Sequence, residues 1–175
     1  NTRISTISPE ILGDLKKGDP ILLDDGLLEL RVIEPGSSSV RCQVVNGGLL
    51  RSSKGMNLPE TNLTLPSITE KDRRDLQWII NNDIDYVALS FVRSADDIKE
   101  VKRIIASSTN PDLRVIAKIE KPEAIKHIAE IIDVTDAIMI ARGDMGVEIP
   151  AARVPRVQHK IIKLCWQANT PVITA

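Results

Sequence analysis

The spacing of hydrophobic positions changes character near residues 59–66 of the chain. Before this point, short apolar runs alternate with turn signals such as Asp24-Asp25-Gly26 and Asn46-Gly47-Gly48, and no run has helical spacing. Asp-Gly and Asn-Gly between apolar runs are typical of tight β-hairpins. The apolar runs lie at residues 21–23, 27–33, 40–45 and 49–50. Residues 1–59 are therefore predicted to form a small all-β domain.

Helical and strand patterns alternate through residues 60–175. Ser67-x-x-Glu70 and Ser94-x-x-Asp97 predict capping boxes at the starts of helices, and Pro122 suits the first position of another helix. The predicted strands lie at residues 86–91, 113–119, 137–141 and 172–174. Strands that alternate with helices in this way are typical of parallel α/β folds.

Charged side chains follow two of these otherwise aliphatic strands. Lys118 and Glu120 share one face of a strand because strand side chains alternate, and Asp144 follows the next strand in Arg142-Gly143-Asp144. The carboxyl ends of parallel strands are where α/β barrels and open α/β sheets place their active sites. A charged site is therefore predicted at this edge of the sheet.

These residue types suit a particular chemistry. Glu120 and Asp144 could supply carboxylate ligands to Mg²⁺, which takes one or two protein carboxylates and completes its shell with water and substrate. Lys118 could neutralise a phosphoryl or enolate oxygen, and Gly143 would let a ligand approach the backbone. The alternative is a structural salt bridge between Lys118 and either carboxylate, and the residues alone leave it open.

Composition restricts the possible functions. With 23 basic and 24 acidic residues the net charge is −1, and aromatic residues make up 2%, so we expect no nucleic-acid partner and no membrane partner. Cys42 and Cys165 are far apart and belong to no Cys-x-x-Cys pair, so neither a zinc site nor a disulfide framework is indicated. No apolar stretch is long enough to span a bilayer. A cytoplasmic location is the expectation.

The sequence resembles the pyruvate kinase family along its whole length. The motifs Lys118-Ile119-Glu120 and Ala141-Arg142-Gly143-Asp144 contain the charged residues described above. Further matching runs lie at residues 21–27, 45–48, 54–59, 88–93, 138–148 and 171–175. The resemblance implies an α/β fold, a partial (β/α)₈ TIM barrel with an inserted small all-β lid domain. Residues 1–59 would form the lid, and residues 60–175 would supply barrel strands four to seven.

The resemblance also implies roles. Lys118 would stabilise the phosphoryl-transfer transition state and the enolate, and Glu120 and Asp144 would be the Mg²⁺ (or Mn²⁺) ligands. The amides of Gly143 and Asp144 would bind the substrate carboxylate, and Lys54 would contact the nucleotide. The implied reaction converts phosphoenolpyruvate and ADP to pyruvate and ATP. The ligands of an implied K⁺ ion would lie outside this chain, and the parent protein would be a homotetramer.

Two other functions remain open from the sequence. An Mg²⁺-dependent enolate-forming lyase or aldolase on the same barrel would use a similar site, but it needs no nucleotide lid. The chain could also serve only as a folding or interaction module. We expect the 175-residue chain alone to be inactive, because a closed barrel needs eight strands and this sequence predicts fewer.

Overall fold

The chain folds into two compact units that divide between Leu65 and Pro66. The computed structural model describes residues 3–6, 8–61 and 63–175. The strands of the first unit are β1 (Pro20–Leu23), β2 (Leu28–Glu34), β3 (Arg41–Asn46) and β4 (Met56–Asn57). The strands of the second unit are β5 (Tyr86–Leu89), β6 (Arg114–Ile119), β7 (Ala137–Ile140) and β8 (Val172–Thr174). Its helices are α1 (Glu70–Ile80), α2 (Ala95–Ala106), α3 (Pro122–Lys126), α4 (Ile128–Ile132), α5 (Arg142–Glu148) and α6 (Val154–Gln167).

The first unit is an antiparallel sheet in the order β3-β2-β1-β4. Asp24, Asp25 and Gly26 all have positive φ in the turn between β1 and β2, so the Asp-Gly signal does mark a hairpin. Its core is aliphatic. The buried residues that form it are Ile11, Leu15, Ile21, Leu23, Leu28, Val32 and Leu58.

One strand of this unit was predicted at the wrong place. Residues 49–50 are not a strand, and Leu49 is 79% exposed. The fourth strand is instead β4, where Met56 pairs with Leu23 and Asn57 with Leu22 of β1. An apolar dipeptide after a turn therefore did not become a strand, because the free edge of β1 is taken by a segment further along the chain.

The second unit is a parallel sheet in the order β5-β6-β7-β8, with helices in the connections. This confirms the predicted α/β fold with a parallel sheet. The strands pair in close register, as in Lys118 opposite Met139. Buried residues from the sheet and the helices form one aliphatic core, which includes Ile98, Val115, Ile138 and Ile161. In the described part of the chain, no helix is long and apolar enough to cross a membrane.

The helix starts follow the sequence signals in part. The Ser94–Asp97 cap of α2 is present, since Ser94 N donates to the Asp97 carboxylate over 2.9 Å. The predicted Ser67–Glu70 capping box is wrong, because the box at α1 is formed by Thr69 and Asp72. The hydroxyl of Ser67 donates to Asp97 of α2 instead, over 2.6 Å. The Ser67 hydroxyl, two residues before the observed cap, is therefore bonded to another helix and does not cap α1.

Candidate active site

The carboxyl end of β6 carries Lys118 and Glu120. Buried and less buried positions alternate along β6, and Ile119 between the two charged residues belongs to the buried face. Lys118 Nζ lies 2.6 Å from Glu120 Oε1, and the side chains are 23% and 2% exposed. The ion pair that a structural role would require is therefore present. Its position at a strand's carboxyl end also suits a ligand site.

Both charged groups are held by the residues that follow β5. Phe91 N donates to Glu120 Oε2 over 3.1 Å, and Lys118 Nζ donates to Ser90 Oγ over 3.0 Å. Strand β5 ends at Leu89, before the predicted end at Phe91, because Phe91 takes the left-handed conformation with φ 55°. That conformation costs free energy for a residue with a Cβ, and such strain gathers at functional sites.

Gly143 and Asp144 lie at the carboxyl end of β7, the strand next to β6. They belong to the first turn of α5, where amides have no acceptor within the helix. The Arg142 amide, one position earlier, donates to Ala175 O over 3.1 Å. A Cβ built on Gly143 meets no described atom within 4 Å, so the backbone here faces open space. Asp144 is exposed and forms no ion pair with any described residue.

The oxygen donors at these strand ends fit a divalent cation. Glu120 Oε1 is buried and accepts no hydrogen bond from a described residue, although the Lys118 ammonium lies 2.6 Å away as its ion-pair partner. The described residues contain no group of three or more acidic, His or Cys ligands. Mg²⁺ does not require one, since water and substrate oxygens complete its shell. Glu120 and Asp144 are thus of the type and number that Mg²⁺ takes from a protein.

Lys54 lies in the first unit, in the loop between β3 and β4. Its ammonium is 2.7 Å from Asp24 Oδ1, and the hydrogen bond and charge of Asp24 raise the pKa of Lys54. The lysine is therefore cationic at neutral pH. Ser53 beside it has a positive φ of 61°, so this loop holds an uncommon backbone conformation.

Sequence reasoning assigned no role to three neighbours of the site. Ser90 contacts Lys118, and Lys121 forms a buried ion pair with Glu148 at 2.6 Å. Ser90 had a signal, because it follows an apolar run that ends at the same edge of the sheet. The Lys121–Glu148 pair had none, since it joins the residue before α3 to the end of α5, and the packing of these segments is not encoded in local spacing.

A parallel sheet with helices in its connections places the second unit among α/β domains, which hold their active sites at the carboxyl edge where these charged groups and helix-start amides lie. The family profile described as "Pyruvate kinase, barrel domain" matches residues 1–175. The chain therefore belongs to the pyruvate kinase family, whose members are kinases and thus transferases.

Similar curated proteins carry the same name. A pyruvate kinase of Clostridium perfringens is 47% identical over 175 residues, which is 100% of this chain and 37% of that protein. Pyruvate kinases of Staphylococcus saprophyticus and Staphylococcus aureus are 42% and 43% identical over 99% of this chain and 30% of their own length. The chain thus spans 30–37% of the length of these curated relatives.

Proposed function

We propose that the full-length protein transfers the phosphoryl group of phosphoenolpyruvate to ADP, producing pyruvate and ATP with the help of Mg²⁺. One observation supports this beyond family membership. An ammonium group and a buried carboxylate oxygen without a hydrogen bond meet at the carboxyl end of β6. A lysine beside a cation site can neutralise the charge of a phosphoryl group and of an enolate.

In this proposal, Glu120 and Asp144 hold the Mg²⁺ or Mn²⁺ ion. The bound cation would neutralise phosphate and enolate charge. The amides of Gly143 and Asp144 bind the substrate carboxylate, and Lys118 places its ammonium against the phosphoryl group. Lys54 contacts the nucleotide from the first unit. K⁺ would act through ligands outside this chain.

The reaction has two parts. An oxygen of the ADP β-phosphate attacks phosphorus, and the bond from phosphorus to the enol oxygen breaks, which leaves ATP and the enolate of pyruvate. A proton is then added to the methylene carbon, which completes pyruvate. Lys118 can serve both parts, because its positive charge faces the oxygen that gains negative charge in the first part and loses it in the second.

The all-β unit distinguishes this proposal from the lyase alternative. Residues 1–59 of that unit are proposed as the lid that covers the nucleotide and excludes water from the enolate. A lyase or aldolase has no second substrate of this kind. A cytoplasmic location and a homotetrameric parent are part of the same proposal.

The test is a pyruvate assay with the purified full-length protein, phosphoenolpyruvate and Mg²⁺, with and without ADP. We expect pyruvate formation that requires ADP and yields one ATP for each pyruvate. Carbon–carbon bond cleavage or addition without ADP would favour the lyase. No turnover of either kind would favour the non-enzyme module.

A further inference from the structure

The chain contains a buried ion pair that the proposed reaction does not use. Lys121 Nζ lies 2.6 Å from Glu148 Oε1, and the two side chains are 12% and 1% exposed. Lys121 directly follows the Lys118–Glu120 segment, and Glu148 is the last residue of α5, the helix that begins with Arg142. The pair therefore ties the segment that contains Glu120 to the helix that contains Asp144.

Lys121 also reaches the loop after β5. Its ammonium lies 5.9 Å from the centroid of the Phe91 ring, within the range of a cation–π contact. Phe91 is the residue with φ 55° whose amide donates to Glu120 Oε2. Since a left-handed phenylalanine needs support from its surroundings, the ring contact is one source of that support.

We propose that the Lys121–Glu148 pair is a positioning device for Glu120. Glu148 fixes the Lys121 ammonium, the ammonium holds the Phe91 ring, and the Phe91 amide holds Glu120 Oε2. Oε2 is then committed to the Phe91 amide, and Oε1, which lies beside the Lys118 ammonium, is the oxygen offered to the cation. Groups that orient a metal ligand in this manner commonly change metal affinity 10–100-fold when they are removed. The proposal rests on the cation site of the proposed function.

The test measures Mn²⁺ binding to the full-length protein without substrate, by electron paramagnetic resonance of free Mn²⁺. The variant is Lys121→Met/Glu148→Gln, which removes both charges, because Lys121→Met alone would leave the buried Glu148 carboxylate without the Lys121 charge. We expect the Mn²⁺ dissociation constant to rise roughly 10-fold. The thermal unfolding midpoint of each variant is recorded beside it.

Lys102→Met is the matched control. Lys102 Nζ lies 2.8 Å from Asp136 Oδ1, and Asp136 directly precedes β7, so this pair is at the opposite end of the strand. Its side chains are 36% and 30% exposed, so the pair is more exposed than Lys121–Glu148. We expect a change in thermal stability with a Mn²⁺ dissociation constant within about twofold of the parent, since Asp136 contacts the amino end of β6, where Val115 N donates to it over 2.8 Å, and Glu120 follows the carboxyl end of that strand. A purely structural role for Lys121–Glu148 would give the same result for both variants and would overturn the proposal.

Phe91→Leu tests whether the effect of Lys121 on Glu120 passes through the Phe91 ring. The leucine keeps the backbone amide but removes the ring, so we expect weaker Mn²⁺ binding. When Phe91→Leu is combined with the double variant, the two effects should not multiply, because both act through the same amide. Fully multiplicative effects would show that Lys121 and Phe91 act separately, which contradicts the proposal.

Glu120→Gln tests the proposed cation site separately from the positioning role of the Lys121–Glu148 pair. If Glu120→Gln weakens Mn²⁺ binding and the Lys121/Glu148 variant does not, only the positioning role is wrong. If Glu120→Gln leaves Mn²⁺ affinity unchanged, Glu120 is not a cation ligand, and both the inference and the proposed cation site fall.

Discussion

At the scale of single residues, the site combines groups whose environments differ sharply. Glu120 is nearly inaccessible, while Asp144 on the neighbouring strand end is exposed. Lys118 is shared between Glu120 and Ser90. A carboxylate that is buried beside one ammonium and one amide is held in a fixed orientation, whereas an exposed carboxylate can adjust to a ligand. Such an arrangement would suit the proposed cation site, where substrate must also enter.

Replacing Lys118 tests whether the ammonium acts in the reaction. We expect Lys118→Met to lower kcat of the full-length enzyme by at least roughly 10²-fold, because one preorganised positive charge is lost. The measurement is steady-state pyruvate formation, with circular dichroism to verify the fold. Lys102→Met serves as the control and should keep kcat within about twofold. Near-normal kcat in Lys118→Met would mean that the Lys118–Glu120 ion pair is only structural.

The buried cysteine provides a pH-dependent prediction. Burial raises the pKa of the Cys165 thiol to about 11 from an ordinary 9.0. Since the thiolate is the reactive form, iodoacetamide at pH 8 should label Cys42 well before Cys165 in the folded protein.

The same shift affects stability. Between pH 9 and 11 the thiol ionises in the unfolded chain but stays protonated in the folded one, so the free energy of unfolding falls as pH rises. This fall should be smaller in Cys165→Ala when urea unfolding is compared at pH 8 and pH 10. Equal iodoacetamide labelling rates for Cys42 and Cys165 at pH 8 would contradict the burial of the Cys165 thiol.

At the scale of elements, local signals place helices and strands but do not choose their partners. The α1 helix begins at Glu70, two residues later than the predicted Ser67 cap implies, and its cap is Thr69, while the Ser67 hydroxyl donates to Asp97 of a different helix. Strand β5 is shorter than its apolar run because the Phe91 amide turns toward Glu120. Competition from tertiary partners thus determines where each element ends.

The cap of α1 can be tested directly. Thr69 Oγ1 accepts from Asp72 N over 3.2 Å, and Asp72 Oδ2 accepts from Thr69 N over 2.9 Å. We expect Thr69→Ala to lower the free energy of unfolding by about 1 kcal/mol, because a first-turn amide loses its acceptor. Thr69→Ser keeps the hydroxyl and should be nearly neutral. Chemical denaturation measures both, and an equal loss in the two variants would argue against the cap.

The proposed contact between Lys54 and the nucleotide can be tested separately. Removing its charge should affect ADP more than phosphoenolpyruvate, since Lys54 is assigned to the nucleotide only. We expect Lys54→Ala to raise KM for ADP roughly 10-fold, the loss of one charged hydrogen bond, with little change in KM for phosphoenolpyruvate. Arg41→Ala, at another exposed ion pair of the same unit, is the control. An equal rise in both KM values would contradict the assignment.

At the scale of the whole molecule, the parallel sheet of the second unit has two open edges among the described residues. Strands β5 and β8 each have one neighbour in the order β5-β6-β7-β8. An edge strand exposes unpaired amide and carbonyl groups. The relatives of this chain are about three times as long, since it spans 30–37% of their length. Further strands of a longer protein would pair with these edges.

The open edges predict that the 175-residue chain is inactive by itself. A closed barrel has eight strands, and half of that number leaves the inner face of the sheet accessible to water. Purified chain should therefore form pyruvate from phosphoenolpyruvate and ADP far below the typical enzyme rate of about 10 s⁻¹. The full-length protein is the positive control. Turnover near that rate would show that the catalytic roles proposed here are misassigned.

The sequence by itself determined the class of fold and which charged residues lie at the carboxyl edge of the parallel sheet. Apolar spacing and turn residues act over a few positions, so they were sufficient for the hairpin at Asp24-Asp25-Gly26 and for the parallel strand–helix alternation. Lys118 and Glu120 stood out because a charge on an aliphatic strand costs free energy unless it has a function or a partner. Their catalytic role stays a prediction.

Only the tertiary structure decided which groups meet. Phe91, Lys121 and Glu148 lie on segments separated by whole elements, and their contacts depend on how β5, β6 and α5 pack. Local sequence patterns do not predict such packing, since a hydroxyl, an amide or an ammonium can form a hydrogen bond with any acceptor that the fold brings within about 3 Å. The choice of cap at Thr69, the end of β5 and the buried pair beside Glu120 all arise from this physical cause.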